Sequence, residues 1–339
     1  MRFAASSICS RCIALMPKTL LPHAVRLEFA PVGGEALRFG AGRSFALDEL
    51  LDLPGDHDEE ADLEGMALSP GYLWVVGSHG MTRKNAKPDR DDAANGKRLA
   101  KLKLDVNRRL LACLPIERDA DGAPQLVREA ADGRRALRLK GDARHNQLTA
   151  LLEDDPHFGA YLKIPGKDNG FDIEGMAVDG QRLLLGLRGP VLRGWAGLLE
   201  IAVQAHHDHL RLVPLDAEGT LLRKHFLQLG GLGVRDLHFH GEDLYLLAGP
   251  TMVLNGEIRL FRWPGARALL AANCKPVRFQ RELVKSLVLP HGEDSDRAEA
   301  LCNLPPALSG GVPSWLVLYD APGPARSDGE CIVHGDLLR

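Results

Sequence analysis

Short apolar runs set between turn residues recur along the chain. Tyr72-Leu-Trp-Val-Val76 follows Gly71, Leu183-Leu-Leu-Gly-Leu187 follows Gly180, and Leu244-Tyr-Leu-Leu247 follows Gly241. Runs of this length are too short for free-standing helices and read as strands when turn formers bound them. A second extended segment precedes each run, so the repeated unit is a β-hairpin. Two stretches read instead as short helices, Phe45–Leu53 and Trp263–Ala272. The polar segment 82–97 has few apolar side chains and reads as a mobile loop.

The segments before the runs repeat in chemistry as well as in length. Asp62-Leu-Glu-Gly-Met-Ala-Leu68 and Asp172-Ile-Glu-Gly-Met-Ala-Val178 are near copies. Val234-Arg-Asp-Leu-His-Phe239 is a degenerate third copy. Ala298-Glu-Ala-Leu-Cys302, with Trp315-Leu-Val-Leu-Tyr319 after a longer loop, is a fourth. Between aligned positions, 110 residues separate Glu64 from Glu174, 61 separate Glu174 from Arg235, and 64 separate Arg235 from Glu299. A unit of roughly 55–64 residues fits a four-stranded propeller blade with generous loops. The first gap then spans two blades, with a divergent one between Lys97 and Tyr161. The strand candidates Arg98–Leu104, Arg109–Ile116 and Leu148–Leu152 are expected to belong to it and its neighbours. The expected fold is an all-β propeller of about six four-stranded blades, within a range of five to seven. A single domain over 25–339 is expected to follow an atypical, disordered segment over 1–24.

Composition narrows the function classes. The net charge is −3 and the pI about 6.5, without the concentrated basic face of a nucleic-acid binder. Arg83-Lys84 and Arg108-Arg109 are each followed by acidic residues and read as solvated loop charge. No run of 18 apolar residues occurs, and Met1–Pro17 lacks a signal-length apolar core, so neither a membrane partner nor export is expected. Six cysteines are sparse for 339 residues. Cys9 and Cys12 form a lone C-x-x-C without the second pair a zinc site needs, so a reducing cytoplasmic setting is expected.

Residues two apart on a strand share a face. The repeat therefore aims Glu64, Glu174, Arg235 and Glu299 at a common axis, with Asp62, Asp172, Gly233 and Arg297 in a second layer. Converging carboxylates repel one another and need compensation. Three readings stand. Glu64, Glu174 and Glu299 could hold a hard cation, Ca²⁺ or Mg²⁺. Arg235 and Arg297 could neutralise them instead. Or each Glu could accept backbone N–H groups from the next blade. Ser78, His79, Arg188 and Arg193 are placed nearby. With Asp62, Arg235 and Asp236 they make a candidate anion site. His79 and Glu174 are the candidate acid–base residues. His206-His-Asp-His209 reads as a surface loop, and His238 and His240 as packing between blades.

Asp62-Leu-Glu-Gly-Met66, Gly77-Ser-His-Gly80, Phe171-Asp-Ile-Glu-Gly-Met-Ala177, Leu187-Arg-Gly-Pro190 and Gly233-Val-Arg-Asp236 together resemble the bacterial domain-of-unknown-function 3616 family. The likeness runs from about Val25 to the C-terminus. It implies a propeller-like fold and no assigned activity. The Asp-x-Glu-Gly pattern is also similar, more loosely, to phytase-like and esterase-like propellers. Members begin with a hairpin-like segment that Met1–His23 does not match, which implies either an altered start or an incomplete first blade. The ring is expected to close by pairing the N-terminal strand with Cys331-Ile-Val-His334. The expected function is a propeller that binds a small anionic molecule or a protein partner in a polar funnel. The alternative is a Ca- or Mg-dependent hydrolase of phosphoesters or lactones.

Overall fold

The computed structural model describes residues 5–8, 11–15, 23–31, 37–39, 43–142, 144–252, 254–273, 275–293, 295–304, 311–328 and 332–338. It is mostly β and propeller-like, with four blades rather than about six. Blade 1 holds β1 (Leu63–Ser69), β2 (Tyr72–Gly77) and β3 (Leu111–Arg118). Blade 2 holds β4 (Asp172–Asp179), β5 (Arg182–Leu192), β6 (Trp195–His206) and β7 (Arg223–Gln228). Blade 3 holds β8 (Gly233–His240), β9 (Asp243–Gly249), β10 (Ile258–Trp263) and β11 (Val284–Leu289). Blade 4 holds β12 (Arg297–Leu304), β13 (Ser314–Asp320) and β14 (Asp336–Leu338).

Each blade opens with the repeated hairpin. In blades 1 and 2 the turn is two residues long and carries a glycine with positive φ, Gly71 at +79° and Gly180 at +63°. A side chain there would be strained, and the tight turn pins the register of everything after it. The strands β1, β4, β8 and β12 lead their sheets and pack on one another in that order. The core lies between blades. Trp74, Val76 and Cys113 of blade 1 pack with Met176, Leu183 and Leu185 of blade 2. Leu184 and Leu198 meet Val234, Leu246 and Trp263, and Leu247 and Leu260 meet Leu301, Val317 and Tyr319. Each fully buried leucine contributes about 2 kcal/mol of transfer free energy.

The divergent blade expected between Lys97 and Tyr161 does not exist. Leu111–Arg118 is the third strand of blade 1, and Leu148–Leu152 lies in a helix. That helix, Gln147–Glu153, starts from a capping box: Asn146 accepts from Thr149 N at 2.8 Å, and Thr149 Oγ1 accepts from Asn146 N at 2.9 Å. Two orphan amides are satisfied, and Leu148 and Leu152 bury one face. The segment expected to be a mobile loop carries a nine-residue helix, Asp92–Ala100. Both short helices read from the sequence are present, over Leu47–Leu50 and Ala266–Ala271.

Ahead of blade 1 lies a further sheet built from Ala5–Ile8, Arg11–Leu15, His23–Pro31, Leu37–Phe39 and Arg43–Ala46. Ala5–Ile8 and Arg11–Leu15 pair antiparallel, a hairpin where none was read. The Ala5–Ile8 strand lies against both β12 and β1, between the last blade and the first. The expected closure through residues 331–334 is not seen. Ile332–Val333 pairs with Ser327–Asp328 instead, and Cys331 lies outside the described residues, as does Cys9.

Candidate functional site: a charged cluster linking the blades

All four leading strands break register at the same point of the repeat. The ladder skips Glu64 between Leu63 and Gly65, Glu174 between Ile173 and Gly175, Arg235 between Val234 and Asp236, and Glu299 between Ala298 and Ala300. Each skipped residue is a β-bulge, which frees one residue from pairing and re-aims its side chain. In blades 1 and 2 a glycine follows the bulge and allows close approach. A Cβ on Gly65 would lie 3.0 Å from Met176 Cβ, and one on Gly175 would lie 3.2 Å from the Asp236 backbone. The Glu-Gly pair therefore aims a carboxylate inward and lets the next blade pack directly beside it.

Three of these side chains, Glu174, Arg235 and Glu299, meet in one ion-paired cluster, while Glu64 stands part-buried at the equivalent bulge of blade 1. Arg188, within β5, binds the carboxylate of Asp172 and lies 2.7 Å from Glu174 Oε1. Arg235 of blade 3 lies 3.8 Å from Glu174 Oε2 and 2.6 Å from Glu299 Oε1 of blade 4. A relay Asp172–Arg188–Glu174–Arg235–Glu299 thus joins three consecutive blades. Burial works against the charge of Arg188, but Asp172, Glu174, Glu299 and Asp62 outweigh it and raise its pKa. Carboxylates from blades 1, 2 and 4 therefore share its surroundings.

Asp62 belongs to a neighbouring group. It pairs with Arg108, which also lies 2.6 Å from Glu60 and donates to Ser78 Oγ at 3.3 Å. Arg108 was read as solvated charge. It is buried, because the 3₁₀ turn Val106–Arg109 leads into β3 and carries the side chain under the blade. Nothing in the repeat marks it, so the sequence reading missed it, together with Glu60. Of the two arginines proposed as neutralisers, Arg235 takes that part. Arg297 lies 3.4 Å from Asn255 at its Nη2, and Arg188 stands in the second role.

His79 has a positive φ of 55° and both ring nitrogens engaged. Nδ1 donates to Gly77 O at 2.9 Å, and Nε2 accepts from Asn146 Nδ2 at 2.9 Å. Burial, reinforced by the Arg109 charge, holds its pKa down at about 4 against the Gly77 hydrogen bond. The imidazole is neutral near pH 7 and ties the end of β2 to the capping residue Asn146. Both ring nitrogens are thus held by groups of the chain itself.

Asp236 stitches blades 3 and 4. Its Oδ1 accepts from Leu237 N and its Oδ2 from Leu301 N, both at 2.8 Å. The third reading, a carboxylate accepting an amide of the next blade, is realised at Asp236. Ser78 is buried, and its carbonyl accepts from Ile173 N at 2.8 Å, joining blades 1 and 2. Arg193 is exposed at the β5–β6 turn with φ +53°, outside the ion pairs of the cluster. His206–His209 forms the turn between β6 and Leu210, and His240 packs on Trp315 of blade 4 with ring centroids 5.6 Å apart. Both follow the sequence reading.

Among the described residues, no group of three or more His, Cys, Asp or Glu side chains is arranged to hold a metal ion. Guanidinium groups sit against Glu174 and Glu299, where a shared cation would need to bind. Among the described residues no helix is long and apolar enough to cross a membrane.

A search of curated proteins finds no match to this chain. Residues 25–336 match the family described as protein of unknown function (DUF3616). With that match covering most of its length, the chain belongs to the DUF3616 family.

Proposed function

We propose that the chain is a binding propeller without turnover, and that its central charged cluster is a scaffold rather than a reaction centre. The relay from Asp172 to Glu299 carries this reading. Asp172, Glu174, Arg188 and Arg235 are buried, Glu299 is part-buried, and all are already opposed by charges of the chain itself. A small anion entering the cluster would have to displace Asp172 and Glu174 from Arg188. A divalent cation would have to displace Arg235 from Glu174 and Glu299. Either exchange costs the desolvation of a buried charge. Of the two occupants expected from the sequence, this favours a protein partner on the outer surface over a small anion in the funnel. The free, buried thiol of Cys113 fits a reducing cytoplasmic setting.

The test is an assay of purified protein against a phosphomonoester and a lactone, with and without Ca²⁺, Mg²⁺ and Mn²⁺, beside melting curves in the same solutions. The reading expects no turnover and an unchanged melting temperature. Metal-dependent hydrolysis that disappears in a folded Glu174→Gln variant would replace it with the hydrolase.

A further inference from the structure

The strongest surface feature lies away from the cluster. Between Thr82 and Leu104 the chain carries eight Lys and Arg against three Asp, a local charge of +5 in a protein whose total is −3. This segment leaves blade 1 after Gly80 and returns through a short antiparallel ladder, Thr82–Arg83 with Leu102–Lys103. Its root is fixed to blade 2 by Arg83, 2.6 Å from Asp168, and by the bridge between Met81 and Pro165. Its tip is held by its own polar groups. Asp91 caps the helix Asp92–Ala100 by accepting from Ala94 N at 2.7 Å, and Asn95 Nδ2 donates to Lys87 O and Arg90 O.

The helix buries no residue. An ordered excursion that adds nothing to a core presents its side chains to the outside. Lys84, Lys87, Lys97 and Lys101 make no ion pair among the described residues. Within Lys97-Arg-Leu-Ala-Lys-Leu-Lys103, Leu99 is 45% exposed and Leu102 39%. Cations with leucines between them suit a surface that offers anionic headgroups above an apolar layer. Nucleic acid fits less well. The segment has no aromatic side chain to stack on a base, and phosphates offer the leucines nothing. An acidic protein segment would likewise use the charges alone.

We propose that residues 82–104 form a peripheral docking surface for an anionic lipid bilayer, with the lysines on the headgroups and Leu99 and Leu102 at the acyl boundary. Such contact needs no membrane-spanning helix. It departs from the expectation drawn from the lack of an 18-residue apolar run, because a peripheral contact requires no such run. It is independent of whether the central cluster is a scaffold.

The test is cosedimentation of the full chain with phosphatidylcholine vesicles, with and without phosphatidylserine. Binding is expected only with phosphatidylserine and is expected to fall as salt rises. Each cation near such a surface contributes about fivefold in partition, so Lys97→Gln with Lys101→Gln weakens binding roughly thirtyfold. Leu99→Ala with Leu102→Ala, at unchanged charge, weakens it roughly tenfold. Because these side chains are exposed, both variants keep the wild-type melting temperature, which excludes unfolding as the cause. Failure of the wild type to sediment with phosphatidylserine vesicles overturns the proposal. So does an undiminished leucine variant, or tighter binding to duplex DNA or polyglutamate than to the vesicles.

Discussion

Arg235 and Glu299 occupy the same position of the repeat in successive blades, and their side chains meet at 2.6 Å. Opposite charges at equivalent bulges turn a register irregularity into a link between sheets. The guanidinium also faces Glu174 at 3.8 Å, so removing it leaves two carboxylates of the cluster without that cation. Arg235→Met is expected to destabilise the fold by about 3 kcal/mol, the cost of breaking a buried pair from one side. Arg128→Ala, which loses an exposed partner in Asp52, is expected to cost about 0.5 kcal/mol or less. Urea unfolding of both variants beside the wild type measures the difference. Equal effects would mean that the cluster contributes no more than a surface ion pair.

In blades 1 and 2, where a glycine follows the bulge, that glycine should be intolerant of a methyl group despite an ordinary backbone conformation. A Cβ at Gly65 would lie 2.7 Å from Val76 Cγ1 and 3.0 Å from Met176 Cβ. Gly65→Ala is expected to cost about 1–3 kcal/mol through overpacking between blades. Gly96 has nothing within 4 Å of such an atom and lies in a helix. Gly96→Ala is therefore expected to stabilise by about 0.5–1 kcal/mol. Thermal melts of the two variants should move in opposite directions.

The amide-accepting role of Asp236 predicts a penalty for an isosteric change. Asparagine keeps one acceptor oxygen and replaces the other by an NH₂ facing an amide N–H. Asp236→Asn is expected to cost about 1–3 kcal/mol. The exchange protection of Leu301 N should fall with it, which amide hydrogen exchange reads directly.

His79 makes stability depend on pH. Its pKa is lowered from 6.5 to about 4 in the fold, first by burial. Between those values the unfolded chain binds a proton that the folded chain refuses. The contribution is therefore fully present above pH 6.5 and lost as pH falls toward 4. Going from pH 7 to pH 5 should cost about 2 kcal/mol from this group alone. His79→Asn tolerates the positive φ of this position and removes the titration. Unfolding curves at the two pH values should show the wild type losing that much more than the variant; parallel losses would assign the pH effect elsewhere.

The repeat was legible because hairpins with identical turn chemistry leave an identical record. Asp62-Leu-Glu-Gly-Met66 and Asp172-Ile-Glu-Gly-Met176 located two leading strands and the residues aimed inward. Blade number was not legible, since spacing counts residues and not strands. The stretch from Lys97 to Tyr161 looked long enough for a blade, but β3, a capped helix and loops fill it. Asn146 with Thr149, followed by Leu148, Leu151 and Leu152 at helical spacing, was the available signal for that helix. Alternation placed Glu174 near Asp172 for the wrong reason. A bulge interrupts the period of two, and it is Arg188 that draws both carboxylates together. Arg108 was invisible because it precedes a third strand, where the repeat has lost its grammar.

Arginines of the chain itself occupy the space between the carboxylates of successive blades. A crystal structure of protein grown with Ca²⁺, Mg²⁺ and phosphate in solution tests it most directly, through the density between Glu174 and Glu299. The account predicts the planar guanidinium of Arg235 there, and Arg188 between Asp172 and Glu174. A metal ion ligated by Glu174 and Glu299, or a phosphate seated on Arg188 with Asp172 turned away, would contradict it.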